Sequence, residues 1–95
     1  MLNKKVIIRG DRSGVFFGTL AEKNGTEVKL TDCRRLWYWE GANSISQLAA
    51  EGTKRPNGCK FTMSVDEILI TDVIEIIPCT LEAIQSIEGV RVWKQ

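Results

Sequence analysis

The stretch from Ile68 to Ile77 constrains the fold more than any other part of the chain. It is rich in isoleucine and valine, and both of its alternating sets of positions are largely apolar. A strand with apolar residues on both faces is typical of the buried centre of a sheet. We therefore expect a central strand here, bent near Thr71-Asp72 and ended by Pro78.

Shorter patterns predict further strands around this one. Each concentrates β-branched or aromatic residues between residues that favour turns. The predicted strands are Val6-Ile7-Ile8, Val15 to Glu22, Thr26 to Cys33, Arg34 to Trp39, Phe61 to Val65 and Val90 to Trp93.

The turn around Lys23-Asn24-Gly25 joins two of these strands in a predicted hairpin. A two-residue Asn-Gly turn would place Glu22 opposite Glu27. A three-residue loop with Gly25 in the left-handed region places Leu20 opposite Val28 instead. We favour the second register because it avoids a pair of like charges.

Two short helices are predicted, Ile45 to Glu51 and Leu81 to Glu88. Ser44 and Gln47 fit a capping box for the first, and Thr80 can cap the second. A loop over residues 53–59 follows the first helix. The order β-β-β-β-α-β-β-α-β predicts one α+β domain over residues 1–95, a mostly antiparallel sheet or partly open small barrel with two short helices.

The chain contains no histidine, which removes the usual general base and the usual metal ligand. No phosphate-binding loop, dinucleotide motif or metal motif is present. Asp66 and Glu67 are sequence neighbours, so on a strand they would point to opposite faces. We therefore expect a protein that is not an enzyme and that uses no cofactor and no metal.

Cys33, Cys59 and Cys79 are odd in number and form no close pair in sequence. This spacing favours reduced, half-buried thiols of a cytosolic protein over a disulfide framework. No early apolar run resembles a signal peptide, and no stretch approaches the length of a membrane span. The expected location is the cytoplasm, with no membrane partner.

The charge is unevenly distributed along the chain. Residues 1–60 carry eleven basic and six acidic residues, whereas residues 61–95 carry two and six, for a net charge of +1. One part of the domain can attract an anion, or the two segments can pair and cancel, and both readings stay open. The small net charge argues against a strong non-specific nucleic-acid partner.

The run from Arg34 to Trp39 is the densest functional pattern, with Arg35, Trp37 and Trp39 expected on one strand face. Arginine offers a planar fork for phosphate, and indole offers a surface on which a base can stack. The helix start that follows favours an anion. The predicted ligand-binding residues are Arg34, Arg35, Trp37, Trp39, Asn43, Ser44, Ser46, Gln47, Lys54 and Arg55.

Each part of this cluster also has a purely structural reading. The tryptophans can belong to the core, and the arginines can flank a strand edge. The helix start can be satisfied by its own Ser44 and Gln47 side chains. Whether Trp37 and Trp39 line a pocket or the core stays open at this point.

Several segments together carry a resemblance to a known family. They are Val6-Ile7-Ile8-Arg9, Gly14-Val15-Phe16-Phe17-Gly18, Arg35-Leu36-Trp37-Tyr38-Trp39-x-Gly41-Ala42-x-Ser44-x-Ser46-Gln47-Leu48-Ala49, Cys59-Lys60-Phe61, Thr71-Asp72-Val73-Ile74-Glu75-Ile76 and Val92-Trp93-Lys94. In these segments the chain resembles a family of small uncharacterised proteins carried by tailed phages and prophages. The resemblance implies a bacterial cytoplasm during infection as the setting.

No established activity comes with that resemblance. Small phage proteins without catalytic machinery often act by binding, so the leading expectation is a homo-oligomeric protein that sequesters a nucleotide-derived defence signal. Such a signal would be a cyclic oligonucleotide or a cyclic ADP-ribose variant. The alternatives are a protein-interaction module, such as a host-enzyme inhibitor or a virion accessory protein, and a weak single-stranded nucleic-acid binder.

Overall fold

The computed structural model describes residues 1–94, and Gln95, the last residue of the predicted domain, lies outside them. None of the helices in the described part is long and apolar enough to cross a membrane. The elements in chain order are β1 (Lys5–Gly10), β2 (Val15–Asn24), β3 (Glu27–Tyr38), α1 (Ile45–Glu51), a 3-10 turn (Pro56–Gly58), β4 (Lys60–Phe61), β5 (Val65–Ile70), β6 (Val73–Pro78) and α2 (Leu81–Glu88).

The strands of residues 1–94 form one antiparallel sheet in the order β4-β3-β2-β1-β6, and β5 also pairs with β3. Strands β5 and β6 therefore lie on opposite borders of the sheet, yet only two residues separate them in the chain. The sheet must curl toward itself to satisfy both pairings, and it does not close. The predicted α+β fold with two short helices is confirmed.

Both faces of the sheet are buried, each in a core of its own. Successive residues of β1 alternate between the two, because side chains of a strand point to opposite faces. The barrel core inside the curl contains Val6, Ile8, Phe16, Leu20, Val28, Leu30, Cys33, Ile70 and Val73. The helix-side core contains Ile7, Phe17, Leu36, Leu48, Ala49, Cys59, Phe61, Ile87 and Val90.

The single central strand predicted from Ile68 to Ile77 is wrong. The chain turns at Thr71-Asp72, and β5 and β6 each have a partner strand on one side only. Leu69 is 62% exposed and Ile74 is also exposed. The continuous apolar pattern has three sources. Ile70 and Val73 belong to the barrel core, with Ile68 and Ile76 packed against it. Ile77 packs against the helix-side core, and Leu69 and Ile74 are apolar without being buried.

The hairpin between β2 and β3 differs from both predicted registers. Asn24 pairs with Glu27 across a two-residue loop in which Gly25 has a positive φ of 63°. The same register places Glu22 opposite Lys29, and the two side chains form an ion pair at 3.3 Å. Beyond this pair, a shift in register places Leu20 opposite Leu30. Like-charge pairing is avoided because the two-residue loop is Gly25-Thr26 rather than Asn24-Gly25, so that Glu27 lies opposite Asn24 instead of Glu22.

The second half of the chain has fewer regular strands than predicted. The stretch from Arg34 continues β3 rather than forming a separate strand, and the predicted strand from Phe61 to Val65 is divided between β4 and β5. The predicted last strand is reduced to one parallel bridge between Phe61 and Val92. Both helices are confirmed with their predicted bounds and with Ser44 and Thr80 as N-caps.

A bulge in β3 decides which side chains reach which core. Thr19 pairs with Thr31 and Phe17 pairs with Arg34, so β3 contains one extra residue, and Asp32 there has a positive φ of 49°. An extra residue reverses the alternation of side chains beyond it. Arg34 consequently lies on the helix side of the sheet, and Arg35 lies on the side of the barrel core.

Candidate functional site

Two tryptophans far apart in sequence stack on the protein surface. The rings of Trp37 and Trp93 have centroids 5.2 Å apart and planes inclined by 17°. The backbone N–H of Trp93 donates to the carbonyl of Phe61 at 2.9 Å, which holds the C-terminal segment against β4. Trp37 is 58% exposed, so much of its indole remains available to an added ring.

Lys60 lies among three aromatic rings. Its ammonium nitrogen is 5.3 Å from the ring centre of Trp37, 5.6 Å from that of Trp93 and 5.7 Å from that of Tyr38. The ion pairs formed within residues 1–94 do not include Lys60. We call Trp37, Tyr38, Lys60 and Trp93 the Trp37 surface, which presents a cation and flat rings at the same place.

A shallow groove of about 150 Å³ adjoins this surface at Trp93. Its lining includes Pro56, Asn57 and Arg91. Arg91 is exposed and belongs to none of the ion pairs of the described residues. An anion that entered the groove would meet a guanidinium fork beside the indole of Trp93.

On its other border the Trp37 surface meets a carboxylate. The Tyr38 hydroxyl donates to Glu40 at 3.1 Å, and this hydrogen bond raises the pKa of Tyr38. Glu40 also pairs with Arg55 at 3.6 Å. Arg55, one of the predicted ligand-binding residues, therefore lies at the border of the surface, where its charge is already paired with Glu40.

Arg34 does not belong to this surface. It is 5% exposed, and its guanidinium donates to the carbonyls of Thr62 at 2.9 Å, Ile87 at 2.9 Å and Phe61 at 3.2 Å. Burial lowers the pKa of the Arg34 guanidinium, which nevertheless stays protonated at any physiological pH. Arg34 ties β3 to the segment after β4 and to the end of α2.

Arg35 points to the opposite face of the sheet. Its guanidinium carbon lies 4.5 Å from the ring centre of Phe16, and Nη1 donates to the carbonyl of Ser13 at 2.6 Å. The structure therefore does not bring Arg34 and Arg35 together as one phosphate fork. Alternation along the strand places the two neighbours on separate faces, and the bulge at Asp32 decides which face each of them takes.

Trp39 does not share a face with Trp37, so the prediction of one face for Arg35, Trp37 and Trp39 is wrong. Trp39 packs against the helix-side core. Strand β3 ends at Tyr38, and its pairing with β4 shifts between Leu36 and Tyr38. The shift ends the regular alternation on which the prediction depended.

The start of α1 is satisfied by its own side chains. Gln47 N–H donates to Ser44 Oγ at 3.1 Å, and Asn43 N–H donates to Gln47 Oε1 at 2.8 Å. Ser46 is exposed on the same helix. Lys54 pairs with Glu51 at 3.9 Å. The hydrogen bonds and ion pairs described within residues 1–94 for Asn43, Ser44, Gln47 and Lys54 do not lead to the Trp37 surface, and neither Lys54 nor Ser46 takes part in its cation–π contacts.

A sequence profile described as a domain of unknown function, DUF6948, matches residues 3–87. The chain belongs to the DUF6948 family. The matched part includes Trp37, Tyr38 and Lys60, whereas Trp93 lies beyond it. Comparisons of this DUF6948 chain with curated proteins and with solved structures give no match.

The sequence analysis of this DUF6948 protein missed Lys60 and Trp93 as candidate site residues. Val92-Trp93-Lys94 was a visible apolar and basic segment near the end of the chain. Nothing in the sequence relates it to Trp37, because their contact depends on the bridge between Phe61 and Val92.

The three thiols of the DUF6948 domain are free, and Cys59 lines the groove beside Trp93. Burial raises the pKa of Cys33 to about 12 and that of Cys79 to about 11. Cys59 is buried and donates from Sγ to the carbonyl of Glu40 at 3.6 Å. A raised pKa makes the thiols of Cys33 and Cys79 poor nucleophiles. No group of three His, Cys, Asp or Glu residues within residues 1–94 could hold a metal ion.

Proposed function

We propose that this DUF6948 protein is a non-catalytic binding protein that holds a nucleotide-derived ligand on the Trp37 surface. The observation that carries the proposal is Lys60, whose ammonium lies 5.3 Å from the ring centre of the exposed Trp37. Because Lys60 forms no ion pair within residues 1–94, its charge is available to a ligand.

The groups of the surface match the two parts of a nucleotide. A base stacks on the indole of Trp37, and any of the nucleobases can make this contact because each has a flat aromatic face. A phosphate attached to that base reaches Lys60, and a second phosphate reaches Arg91 in the groove beside Trp93. Two separate cations next to one stacking platform favour a ligand with two or more phosphates.

The phage setting implied by the sequence resemblance gives this ligand a role. We propose that the protein sequesters a nucleotide-derived signal made by host defence, of the cyclic oligonucleotide or cyclic ADP-ribose type. Binding without reaction suffices for that role, because a held signal no longer reaches its receptor. The proposed site of action is the bacterial cytoplasm.

Self-association is part of the proposal. Strands β5 and β6 form the borders of the curled sheet, and their outward residues Leu69 and Ile74 are exposed. Exposed apolar residues on a border strand favour pairing with another chain. Light scattering on the eluting protein should give a multiple of the 10.7 kDa chain mass, and a stable 10.7 kDa species would exclude the homo-oligomer.

Calorimetry on the full chain tests the ligand class. The panel consists of cyclic dinucleotides, cyclic trinucleotides and cyclic ADP-ribose isomers. We expect at least one to bind, and we expect Trp37→Ala to weaken that binding about 10-fold or more through the lost stacking. Trp37→Phe keeps an aromatic ring and should retain most of the affinity.

Lys60 and Lys54 provide a matched pair for the charge contribution. Lys60→Ala should weaken binding, whereas Lys54→Ala removes an equally charged, exposed side chain outside the Trp37 surface and should not. Absence of heat with every member of the panel, given folded protein, rejects the proposed function. An equal loss in both lysine variants rejects the Trp37 surface as the site.

A protein partner is the second candidate function, and one observation favours it. Trp37, Tyr38 and Val92 are exposed, and so is Met63, two residues after β4. Large exposed aromatic and apolar side chains are the composition of an interface centre. A host-enzyme inhibitor or a virion accessory protein would use these residues as anchors.

Affinity capture separates the two candidates. A protein partner would be retained in stoichiometric amount, and Met63→Ala would weaken its capture along with Trp37→Ala. A nucleotide-derived ligand would instead be released from the captured protein on heating, and its binding would be insensitive to Met63→Ala. A salt-dependent gel shift with single-stranded oligonucleotides would identify the remaining alternative, a weak nucleic-acid binder.

A further inference from the structure

A groove of about 360 Å³ opens on the barrel-core side of the sheet, where the turn between β5 and β6 meets the loop between β1 and β2. Its walls include the side chains of Arg12, Ser13, Phe16, Arg35, Ile68 and Asp72. None of these belongs to the Trp37 surface. The groove combines two guanidinium groups with an apolar wall.

Asp72 holds the loop that forms one wall of this groove. One carboxylate oxygen accepts hydrogen bonds from the backbone N–H groups of Arg12 at 2.7 Å and Ser13 at 2.9 Å, and the other accepts from the Ser13 hydroxyl at 2.6 Å. The Asp72 carbonyl accepts from Asp11 N–H at 2.8 Å. Gly10 makes room for this arrangement, because a methyl group there would overlap the Ser13 side chain.

The same loop fixes the second guanidinium group. The carbonyl of Ser13 accepts from Arg35 Nη1 at 2.6 Å, while the Arg35 guanidinium also lies over the ring of Phe16 at 4.5 Å. These two contacts orient Arg35 and use one of its five N–H donors within the described residues. The other N–H groups of Arg35 remain available to a ligand. Because the side chain is already ordered by its two contacts, binding costs less conformational entropy.

The balance of charge in the groove is positive. Arg12 and Arg35 form no ion pair within residues 1–94. The opposing carboxylate of Asp72 is occupied by its hydrogen bonds to the loop. Arginine forks match the geometry of phosphate oxygens. Phe16 is buried beneath Arg35, so the half-buried Ile68 and the exposed Leu69 of the groove offer the apolar contact to an attached ring.

We propose that this groove is a binding site for the phosphate group of a ring-bearing phosphoester, held between Arg12 and Arg35. The proposal goes beyond the proposed function, since it concerns different residues and holds whether or not the Trp37 surface binds a nucleotide. Asp72 is a positioning residue in this site, because it acts on the ligand through Ser13 and Arg35.

Titration of the full chain with phenyl phosphate, followed by amide NMR, tests the site. Phenyl phosphate should shift the amide signals of residues 10–14 and 71–72. Arg35→Gln should weaken this binding about 10-fold, since a hydrogen bond to a charged group is lost together with the charge. Arg35→Lys keeps the charge without the fork and should restore only part of the affinity.

Further ligands and a control variant test whether the phosphate group, rather than the ring or the general surface charge, is responsible for binding. Benzoate and benzyl alcohol share the ring but not the phosphate, and both should bind more weakly than phenyl phosphate. Lys54→Gln is the control for general surface charge and should leave the affinity unchanged. Equal binding of benzoate, no shift at residues 10–14, or equal affinity in Arg35→Gln and the unmodified protein would each overturn the proposal.

The positioning role of Asp72 has a separate readout. Asp72→Asn should weaken binding of phenyl phosphate and broaden the amide signals of Arg12 and Ser13, while the signals of helix α2 stay unchanged. Unchanged affinity in a folded Asp72→Asn variant would reject the positioning role. The indole signals of Trp37 and Trp93 report on the proposed function, so failure of one site is distinguishable from failure of the other.

Discussion

Arg34 and Arg35 are adjacent in the chain and have opposite surroundings. Arg34 is buried and donates to three backbone carbonyls on the helix side, whereas Arg35 is exposed on the other face over Phe16. Removal of the Arg34 guanidinium would leave the backbone carbonyls that accept its hydrogen bonds buried and unpaired, which lowers stability. The two residues therefore contribute to different properties, Arg34 to stability and Arg35 to the surface.

Substitution of each arginine by leucine should separate these contributions. Arg34→Leu should lower the free energy of unfolding by about 3 kcal/mol, because it breaks a buried charged network. Arg35→Leu should lower it by about 1 kcal/mol or less, as is usual for exposed positions. Urea denaturation of the two variants measures the difference, and equal losses would contradict the assignment of Arg34 as the buried anchor.

Asp72 makes the stability of the protein depend on pH. Hydrogen bonds from the Ser13 side chain and the Arg12 backbone lower the pKa of its carboxyl group below the ordinary value. A lowered pKa in the folded state contributes stability that is present above the unfolded value and is lost as the pH falls through the folded one.

The unmodified protein should therefore lose its stability advantage over Asp72→Asn as the pH falls below about 4, the ordinary value for an aspartate. Between neutral pH and that point the difference between the two proteins should stay constant. Denaturation of both proteins across this range is the measurement. An advantage that persisted undiminished in strong acid would show that the charge of Asp72 does not matter.

At the scale of elements, the helices were predicted well because their signals are local. Ser44, Gly52 and Thr80 lie at the ends of α1 and α2 and act there through hydrogen bonds a few residues away. The strands were predicted less well, since the boundaries of β4, β5 and β6 depend on distant partners. The sequence predicts a bend near Thr71-Asp72 in the run from Ile68 to Ile77, but no local pattern shows that two strands on opposite borders of the sheet meet there.

The bulge in β3 is the element that places the site residues. Asp32 has a positive φ of 49°, a conformation that aspartate, asparagine and glycine tolerate and β-branched residues do not. Asp32 also pairs with Lys5 at 3.1 Å, so a control must remove the charge without changing backbone preference. The substitution Asp32→Asn is such a control, because asparagine has no charge and also tolerates a positive φ.

Asp32→Val should lower the free energy of unfolding by about 1–2 kcal/mol more than Asp32→Asn, because valine resists the left-handed conformation. Both variants lose the ion pair with Lys5, which therefore cancels in the comparison. Thermal or urea denaturation of the two measures the difference. Equal stability would mean that the bulge at Asp32 does not require this backbone conformation.

At the scale of the whole molecule, the curled sheet and the return of the chain end create the candidate site. From the sequence, Trp37 is a predicted binding residue, and the predicted α+β fold is confirmed. The sequence also predicts that Arg34, Arg35 and Trp39 share a binding site with Trp37. They are close in sequence, and regular alternation along a strand would place Arg35, Trp37 and Trp39 on one face. The actual neighbours of Trp37 are Lys60, on the paired strand β4, and Trp93, which reaches the surface through the bridge between Phe61 and Val92.

The three indole N–H signals of the protein test the central claim most directly, since each tryptophan reports on its own surroundings. Titration with the tightest ligand of the nucleotide panel should shift the signals of Trp37 and Trp93 together and leave that of Trp39, on the helix side, unchanged. Single Trp→Phe variants assign the signals. Saturable binding that left Trp37 and Trp93 unmoved would contradict the Trp37 surface as the ligand site.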